Sequence, residues 1–288
     1  MIMKRLLIYI LVASASMIAY ADKWVKDAEP AILEVHYTRT EVYDTLHRDS
    51  LFFKDEMMLR IGKGKAVFCN VRRFYQDSLS KANPDAYWGM MKNEMDKGNP
   101  NVFATLGGHK RSYLYKLYSE NQIIENDYFD MTPWRYKETL ELPEWEISDE
   151  SKEIIGYQCF KAIADYRGRK WTAWFAPEIP IQEGPWKLGG LPGLILEAYD
   201  TGRDYVFECV GLMQTGLGEV GIYMDRKSDD YFDVTRDKFF NNWWRYKHSN
   251  FVAKIRAVYN LNIKETPDEN KPRTVNYDKE ETDYPHDL

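Results

Sequence analysis

The residues that could do chemistry are scattered through the sequence and form no known catalytic motif. None of the five histidines stands at metal-ligand spacing from another. No G-x-S-x-G, H-E-x-x-H or P-loop motif is present, and carboxylates such as Glu183 and Glu197 form no recognisable acid–base pair. The sequence therefore predicts no catalytic residues, no metal site and no cofactor.

The densest group of binding-type side chains lies in one short stretch. Three tryptophans, an arginine and an acid occur there: Trp171, Trp174, Trp186, Arg169 and Glu183. Indole rings can wall a pocket and the charged side chains can fix a polar ligand, so this group is the candidate ligand surface. The alternative is that the segment is an ordered corner whose rings fill the core.

Residues 177–193, which we call the corner loop, are rich in turn formers. The candidate structural turn residues are Gly184, Pro185, Gly190, Pro192 and Gly193. The four residues starting at position 191 predict a type II turn, because proline presets φ at its second position and glycine tolerates positive φ at its third. We therefore expect a positive φ at Gly193.

One hexapeptide in this region resembles a family motif. Residues 190–195 read Gly-Leu-Pro-Gly-Leu-Ile, which is similar to the hexapeptide that names the GLPGLI family of exported Bacteroidota proteins. The resemblance covers about 55 residues, through the segments 156–159, 168–174, 177–180 and 184–186. It implies a β-rich protein with a signal peptide and no established activity, so no catalytic residue is carried over.

The segment before the corner loop predicts a β-hairpin. Arg167 and Gly168 form a two-residue turn signal that pairs Tyr166 with Arg169. This register puts apolar side chains together on one face, and a one-residue slip would destroy that agreement.

The segment after the corner loop predicts a second hairpin. A two-residue turn at Thr201 and Gly202 places Leu196 opposite Phe207. Each hairpin then has one apolar face, which predicts a sheet that covers something on one side only.

The first 21 residues have the pattern of a signal peptide. Lys4 and Arg5 precede an apolar run over residues 6–18, and residues 19–21 match an A-x-A cleavage site. We expect the mature chain to begin at Asp22, to contain no transmembrane segment and to be exported to the periplasm or the cell surface.

Composition excludes one class of partner and bounds the disulfides. A net charge of -6 gives no basic surface for nucleic acid. Export permits disulfides, and three cysteines allow at most one intramolecular bridge. The alternation of apolar residues favours Cys69 with Cys209 over a bridge to Cys159.

The pattern along the chain predicts one domain of the α+β class. We expect a signal peptide over 1–21, a β-rich domain over 22–261 and an acidic, disordered tail over 262–288. Helices are predicted after the capping residues Asn83 and Thr235. The expected fold is a single curved antiparallel β-sheet, half-barrel-like, with helices packed on one face.

These features favour an exported, non-enzymatic binding or envelope-accessory protein. Its partner would be an unknown small molecule, lipid, glycan or envelope protein. One alternative is an envelope hydrolase acting on glycan or peptide, which a pocket with convergent carboxylates would favour. Another is a structural partner of an outer-membrane assembly, which a flat aromatic patch would favour.

Overall fold

A computed structural model describes residues 24–99, 101–223, 230–249 and 275–285. The strands in this part of the chain are β1 (Val25–Pro30), β2 (Leu33–Val42), β3 (Phe52–Ile61), β4 (Lys65–Asn70), β5 (Tyr113–Leu117), β6 (Gln122–Phe129), β7 (Thr132–Thr139), β8 (Glu146–Ile154), β9 (Tyr157–Tyr166), β10 (Arg169–Ala176), β11 (Leu194–Asp200), β12 (Tyr205–Met213), β13 (Glu219–Tyr223) and β14 (Phe232–Val234). The helices are α1 (Val71–Ala82), α2 (Pro84–Asp96), α3 (Val102–Gly107) and α4 (Arg236–His248).

Two helices begin at the predicted caps. The Asn83 side chain accepts a hydrogen bond from the Ala86 N–H, and Pro84 takes the first helical position of α2. At the start of α4, the Thr235 hydroxyl accepts from the Lys238 N–H. These bonds satisfy N–H groups that have no partner within the helix.

Twelve strands form one sheet in the order β14-β7-β6-β5-β4-β3-β2-β12-β11-β10-β9-β8. All neighbours pair antiparallel except β14 with β7, and β1 pairs with β13 in a separate two-stranded sheet. The large sheet consists of two meanders, β2 to β7 and β8 to β12, joined by the pairing of β2 with β12. The α+β class with a predominantly antiparallel sheet is confirmed.

The large sheet is open but strongly curled. Strands β7 and β8 lie ten positions apart in the sheet, which is about 48 Å in a flat sheet. Residues 140–145 connect them and span at most about 25 Å. The ends therefore approach each other, and Arg167, in the β9–β10 turn, reaches Glu138 on β7 at 2.9 Å.

The register of the first predicted hairpin is confirmed. Arg169 pairs with Tyr166, and the same register continues to Phe175. Arg167 and Gly168 have φ values of 52° and 78°, which suits a tight two-residue hairpin turn.

The second hairpin is shifted by two residues from its predicted register. Glu197 pairs with Glu208, and the turn contains residues 201–204. The Asp200 carboxylate holds this longer turn by accepting the Tyr205 N–H at 2.9 Å. A shift of two keeps every side chain on its face, so the predicted apolar face is retained.

We name the two faces of the sheet by the side chains of β4 and β5. The inner face carries Phe68 and Leu114, and the outer face carries Cys69 and Tyr113. The apolar cluster on the inner face includes side chains from β2 to β6, from β9 to β12 and from the corner loop. The corner loop therefore lies inside the curl, where it fills the core.

Helices cover both faces, so the prediction of helices on one face is wrong. Helix α1 packs Phe74 on the outer cluster. Helix α4 packs Phe240 near Tyr136, which shares the inner face with Glu125 and Leu114. Strands β4 and β5 carry apolar side chains on both faces, and each face needs cover from water.

The three cysteines are buried free thiols. Cys69 belongs to the outer cluster, whereas Cys159 and Cys209 belong to the inner one. The favoured pairing of Cys69 with Cys209 is therefore wrong, because the sheet separates the two thiols.

Residues 275–285, which we call the strap, lie against the inner face. Lys279, Glu280 and Glu281 are buried there, so the prediction of a disordered tail is wrong for this segment. Its charges meet opposite charges on the sheet, which composition alone does not reveal. The rest of the predicted tail and the predicted signal peptide lie outside the described residues, and the domain boundaries stay predictions.

Candidate functional site

The three tryptophans of the predicted ligand surface are buried. Trp171 and Trp186 have their ring centroids 5.3 Å apart, and both are at most 1% exposed. Trp174 is also buried, in the same inner cluster. In this structure these rings fill the core and offer no surface to a ligand.

The two charged residues of that predicted surface already have partners. Arg169 donates to the carboxylates of Asp200 at 2.9 Å and Asp204 at 3.2 Å. Glu183 accepts from the Lys116 ammonium at 2.6 Å, and both side chains are buried. The Lys116–Glu183 pair connects β5 to the corner loop, so it positions the loop inside the curl.

Gly193 lies at a close approach of two backbone segments, but the turn at Pro192 is not type II. The Gly193 N–H donates to the Leu191 carbonyl at 2.8 Å, whereas the Leu194 N–H donates to Ile179. A Cβ on Gly193 would lie 2.3 Å from the Ala176 carbonyl oxygen. Glycine is needed there because two backbone segments touch.

The other turn residues also have defined places. Gly190 has a φ of +84°, in the left-handed region that favours glycine. A Cβ on Gly184 would lie 2.8 Å from the Ile195 side chain, and the Pro185 carbonyl accepts the Leu188 N–H at 3.1 Å. These residues shape the loop that carries Trp186 and Lys187 into the interior.

A pocket of about 380 Å³ opens between the sheet, α4 and the strap. Its lining combines charged and aromatic side chains: Arg39, Glu41, Phe53, His109, Lys110, Arg111, Asp127, Tyr128, Phe129, Asp130, Met131, Trp243, Tyr246, Lys247, Tyr277, Lys279 and Glu280. The predicted ligand residues are absent from this lining. The pocket is therefore a candidate site that the sequence analysis missed.

Buried ion pairs fix one part of the pocket lining. Glu280 of the strap lies 2.8 Å from the Arg39 guanidinium and 3.2 Å from the Lys110 ammonium. Burial alone would raise the pKa of Glu280, but Lys110 and Arg39 outweigh it and hold that pKa well below its ordinary range. Glu280 is therefore ionised at neutral pH, and these pairs make this part of the pocket rigid.

A second buried ion pair joins Asp127 on β6 to Lys279 of the strap. Asp127 accepts from the Lys279 ammonium at 3.0 Å. Burial would raise the pKa of Asp127, but Lys279 and Lys110 lower it further than burial raises it. The backbone before β5 is held in turn by Asp55, whose carboxylate accepts the N–H groups of His109 at 2.9 Å and Lys110 at 2.8 Å.

Two cations in the lining differ from the others. Among the described residues, no carboxylate forms an ion pair with Arg111 or Lys247, whereas Arg39, Lys110 and Lys279 each have one. Burial and the nearby charge of Arg73 lower the pKa of Arg111. Both unpaired cations are thus available to an anion from outside the protein.

Aromatic rings flank these two cations. The Arg111 guanidinium lies 5.1 Å from the centre of the Tyr128 ring, and the Lys247 ammonium lies 5.3 Å from that of Tyr277. On another side, the rings of Phe53 and His109 stack with centroids 3.7 Å apart. Flat ring faces beside cations suit a ligand that has both a charged and a flat or apolar part.

The pocket residues come from distant parts of the sequence. Arg39 lies on β2, Arg111 precedes β5, Asp127 lies on β6, Lys247 ends α4 and Glu280 lies on the strap. No spacing rule connects them, because the curl of the sheet brings them together.

Among the described residues, no group of three or more His, Cys, Asp or Glu side chains could hold a metal ion.

Fold and site together describe a curled, predominantly antiparallel sheet with an open pocket lined by charged and aromatic side chains. The family described as "Protein of unknown function (Porph_ging)" matches residues 166–197, which contain the first hairpin turn and the corner loop. No curated protein matches the sequence. None of the described helices is both long enough and apolar enough to span a bilayer.

Two similar solved structures are "Structure of PNGF-II in C2 space group" and "Structure of PNGF-II in P21 space group". Each has a TM-score of 0.46 and 12% sequence identity to this chain. The match covers 75% of this chain and 33% of the other, so this chain spans about a third of the length of those it matches.

Proposed function

We propose that this protein is an exported binding protein that holds a small acidic molecule in the pocket beside the strap. The observation that carries the proposal is the pair of cations, Arg111 and Lys247, that line the pocket without a carboxylate partner among the described residues. Asp127 and Asp77 attract Arg111 without forming an ion pair with it, and a ligand carboxylate or phosphate would supply a direct partner for either cation.

The remaining lining residues support a ligand with more than one kind of group. The volume of about 380 Å³ falls within the range of small-molecule sites. The rings of Tyr128 and Tyr277 in the lining can pack against a flat or apolar part of a ligand.

The place of action follows from the sequence. The predicted signal peptide puts the mature chain in the periplasm or on the cell surface, where it would capture its ligand. The resemblance to the GLPGLI family agrees with export but supplies no ligand, so the ligand class rests on the pocket alone.

The proposal is tested with paired probes that differ in charge. Benzoate, glucuronate and glucose 6-phosphate carry an anion, and benzyl alcohol and glucose are uncharged counterparts. We expect at least one anionic probe to raise the thermal unfolding midpoint and to bind in calorimetry, while its counterpart does neither. Native mass spectrometry of the purified protein would reveal a ligand retained from the cell.

The variants Arg111→Gln and Lys247→Gln should each weaken binding of the anionic probe about 10-fold or more, because a charge-assisted hydrogen bond is lost. Lys63→Gln is the matched control, because Lys63 is exposed and lies outside the pocket. Equal binding by all three variants, or equal binding of charged and uncharged probes, would overturn the proposal.

A further inference from the structure

The strap is held in the protein as a bound peptide would be. It contributes no strand to either sheet, so the backbone ladder is complete without it. It contributes no residue to the large inner cluster, and its apolar contacts are those of Tyr284 and Tyr277 with a smaller cluster on α4. The cleft that holds it is thus formed by the other elements of the fold.

Cations from separate elements converge on two adjacent glutamates of the strap. Glu280 pairs with Arg39 from β2 and with Lys110 from the segment before β5. Glu281 pairs with Lys187 from the corner loop and with Arg236 from α4. Both glutamates are at most 3% exposed, so these are buried charge pairs, which salt screens weakly.

Backbone contacts fix the direction and register of the strap. The Arg169 guanidinium donates to the Lys279 carbonyl at 2.8 Å, and the Thr282 N–H donates to the Arg167 carbonyl at 2.9 Å. At the other end, the Asn276 carbonyl accepts from the N–H of Thr45 at 3.0 Å. These bonds require an extended segment but no particular side chain, whereas the four cations require the glutamates.

We infer that the inner cleft is a binding site for an extended acidic peptide with two adjacent glutamates, and that the strap is its exchangeable occupant within the same chain. The glutamates supply the recognition, since their removal would leave buried Lys187 and half-buried Arg236 with fewer counter-charges. The inference does not depend on Arg111 or Lys247. Peptide exchange can therefore fail while the small-molecule site is confirmed, and the small-molecule site can fail while peptide exchange is confirmed.

The experiment uses the full chain with a protease recognition sequence inserted within residues 264–272. After cleavage, the C-terminal fragment that contains the strap is held only by non-covalent contacts. We expect it to co-elute with the rest of the chain in gel filtration. A fluorescent synthetic peptide of residues 275–285 should then replace it, with an unchanged circular dichroism spectrum.

Two further peptides test the recognition. A peptide with Glu280→Gln and Glu281→Gln should bind about 100-fold more weakly, because two charge-assisted contacts are lost. A peptide of the same composition in scrambled order should not bind, which separates recognition from bulk charge. The inference is overturned by equal binding of the glutamine peptide, by no exchange in excess peptide, or by unfolding when the fragment leaves.

Discussion

The corner loop and the strap both lie inside the curled sheet, and each combines apolar packing with buried ion pairs in different proportions. The corner loop contributes Trp186, Leu188 and Leu191 to the inner apolar cluster. The strap places Glu280 and Glu281 against cations. The comparison shows that one interior can combine a segment held mainly by apolar packing with a segment held largely by buried ion pairs.

Apolar packing and buried ion pairs contribute differently to the free energy of unfolding. Apolar burial stabilises the fold by about 25 cal/mol per Å² of surface removed from water. A buried ion pair gives less net stability, because desolvation of both charges offsets much of their attraction, yet removal of one partner is costly. The corner loop should therefore dominate stability, and the strap should make part of that stability depend on pH.

The largest expected effect is that of Trp186→Ala. The ring is 1% exposed and packs on Trp171, so its loss should reduce the free energy of unfolding by about 3–5 kcal/mol. Chemical denaturation measures this change. Trp88→Ala is the control, since Trp88 is 62% exposed and its loss should change stability by no more than about 0.5 kcal/mol. A Trp186→Ala variant as stable as the control would show that the corner loop does not stabilise the core.

The next effect is that of Glu280→Gln, which should cost about 2–3 kcal/mol at neutral pH. Because the pKa of Glu280 in the folded protein lies below its ordinary value of 4.5, its contribution is complete above that pH. The contribution is lost as the pH falls through the lower folded value. The difference in the free energy of unfolding between the two proteins, measured by chemical denaturation, should therefore stay constant from pH 7 to about pH 5 and become smaller from there to pH 3. A difference that stays constant down to pH 3 would contradict the charge-pair account.

A smaller effect is expected at Gly193, where the backbone of the corner loop touches the backbone at the end of β10. Gly193→Ala should cost about 1–3 kcal/mol, because its Cβ would meet the Ala176 carbonyl oxygen. Gly211→Ala is the matched control, since a Cβ there meets nothing within 4 Å. Thermal unfolding of both variants compares them directly. The same midpoint for both would mean that the loop can move away from β10 at little cost.

The smallest expected effect concerns the rim of the strap. The Thr282 hydroxyl donates to the Gly168 carbonyl at 2.9 Å in an exposed position. Thr282→Val should therefore change the free energy of unfolding by about 0.5 kcal/mol or less. A loss as large as that of Glu280→Gln would show that backbone-directed contacts, and not the glutamates, hold the strap.

Local features of the fold could be predicted from the sequence. The register from Tyr166 with Arg169 depends on one two-residue turn, and the caps Asn83 and Thr235 act on the next few residues. The second hairpin was shifted because the side chain of Asp200 stabilises a four-residue turn. That bond joins a side chain to a backbone group five residues away, which turn composition does not encode.

The candidate site could not be predicted, because its contacts are long-range. Arg39 and Glu280 lie 241 residues apart in the sequence, and no local pattern indicates that they pair. The composition of the strap therefore predicted a solvated acidic tail. The tryptophans of the predicted ligand surface belong to the core, because the aromatic side chains that bind ligands in some proteins fill the core in others. Only the curl of the sheet decides that Trp171 and Trp186 face inward.

The arrangement of the large sheet has a consequence for how the chain reaches its native state. Within each meander every strand pairs with its neighbour along the chain, and most of these connections are short, apart from residues 71–112 between β4 and β5 and the corner loop between β10 and β11. The ladders with short connections form with little loss of loop entropy. The pairing of β2 with β12 is different, since it joins Val35 to Leu212 and closes a loop that contains most of the described residues. Non-local pairings of this kind slow folding. The two meanders can therefore form as separate units during synthesis, and the β2–β12 seam is the last large ladder to close.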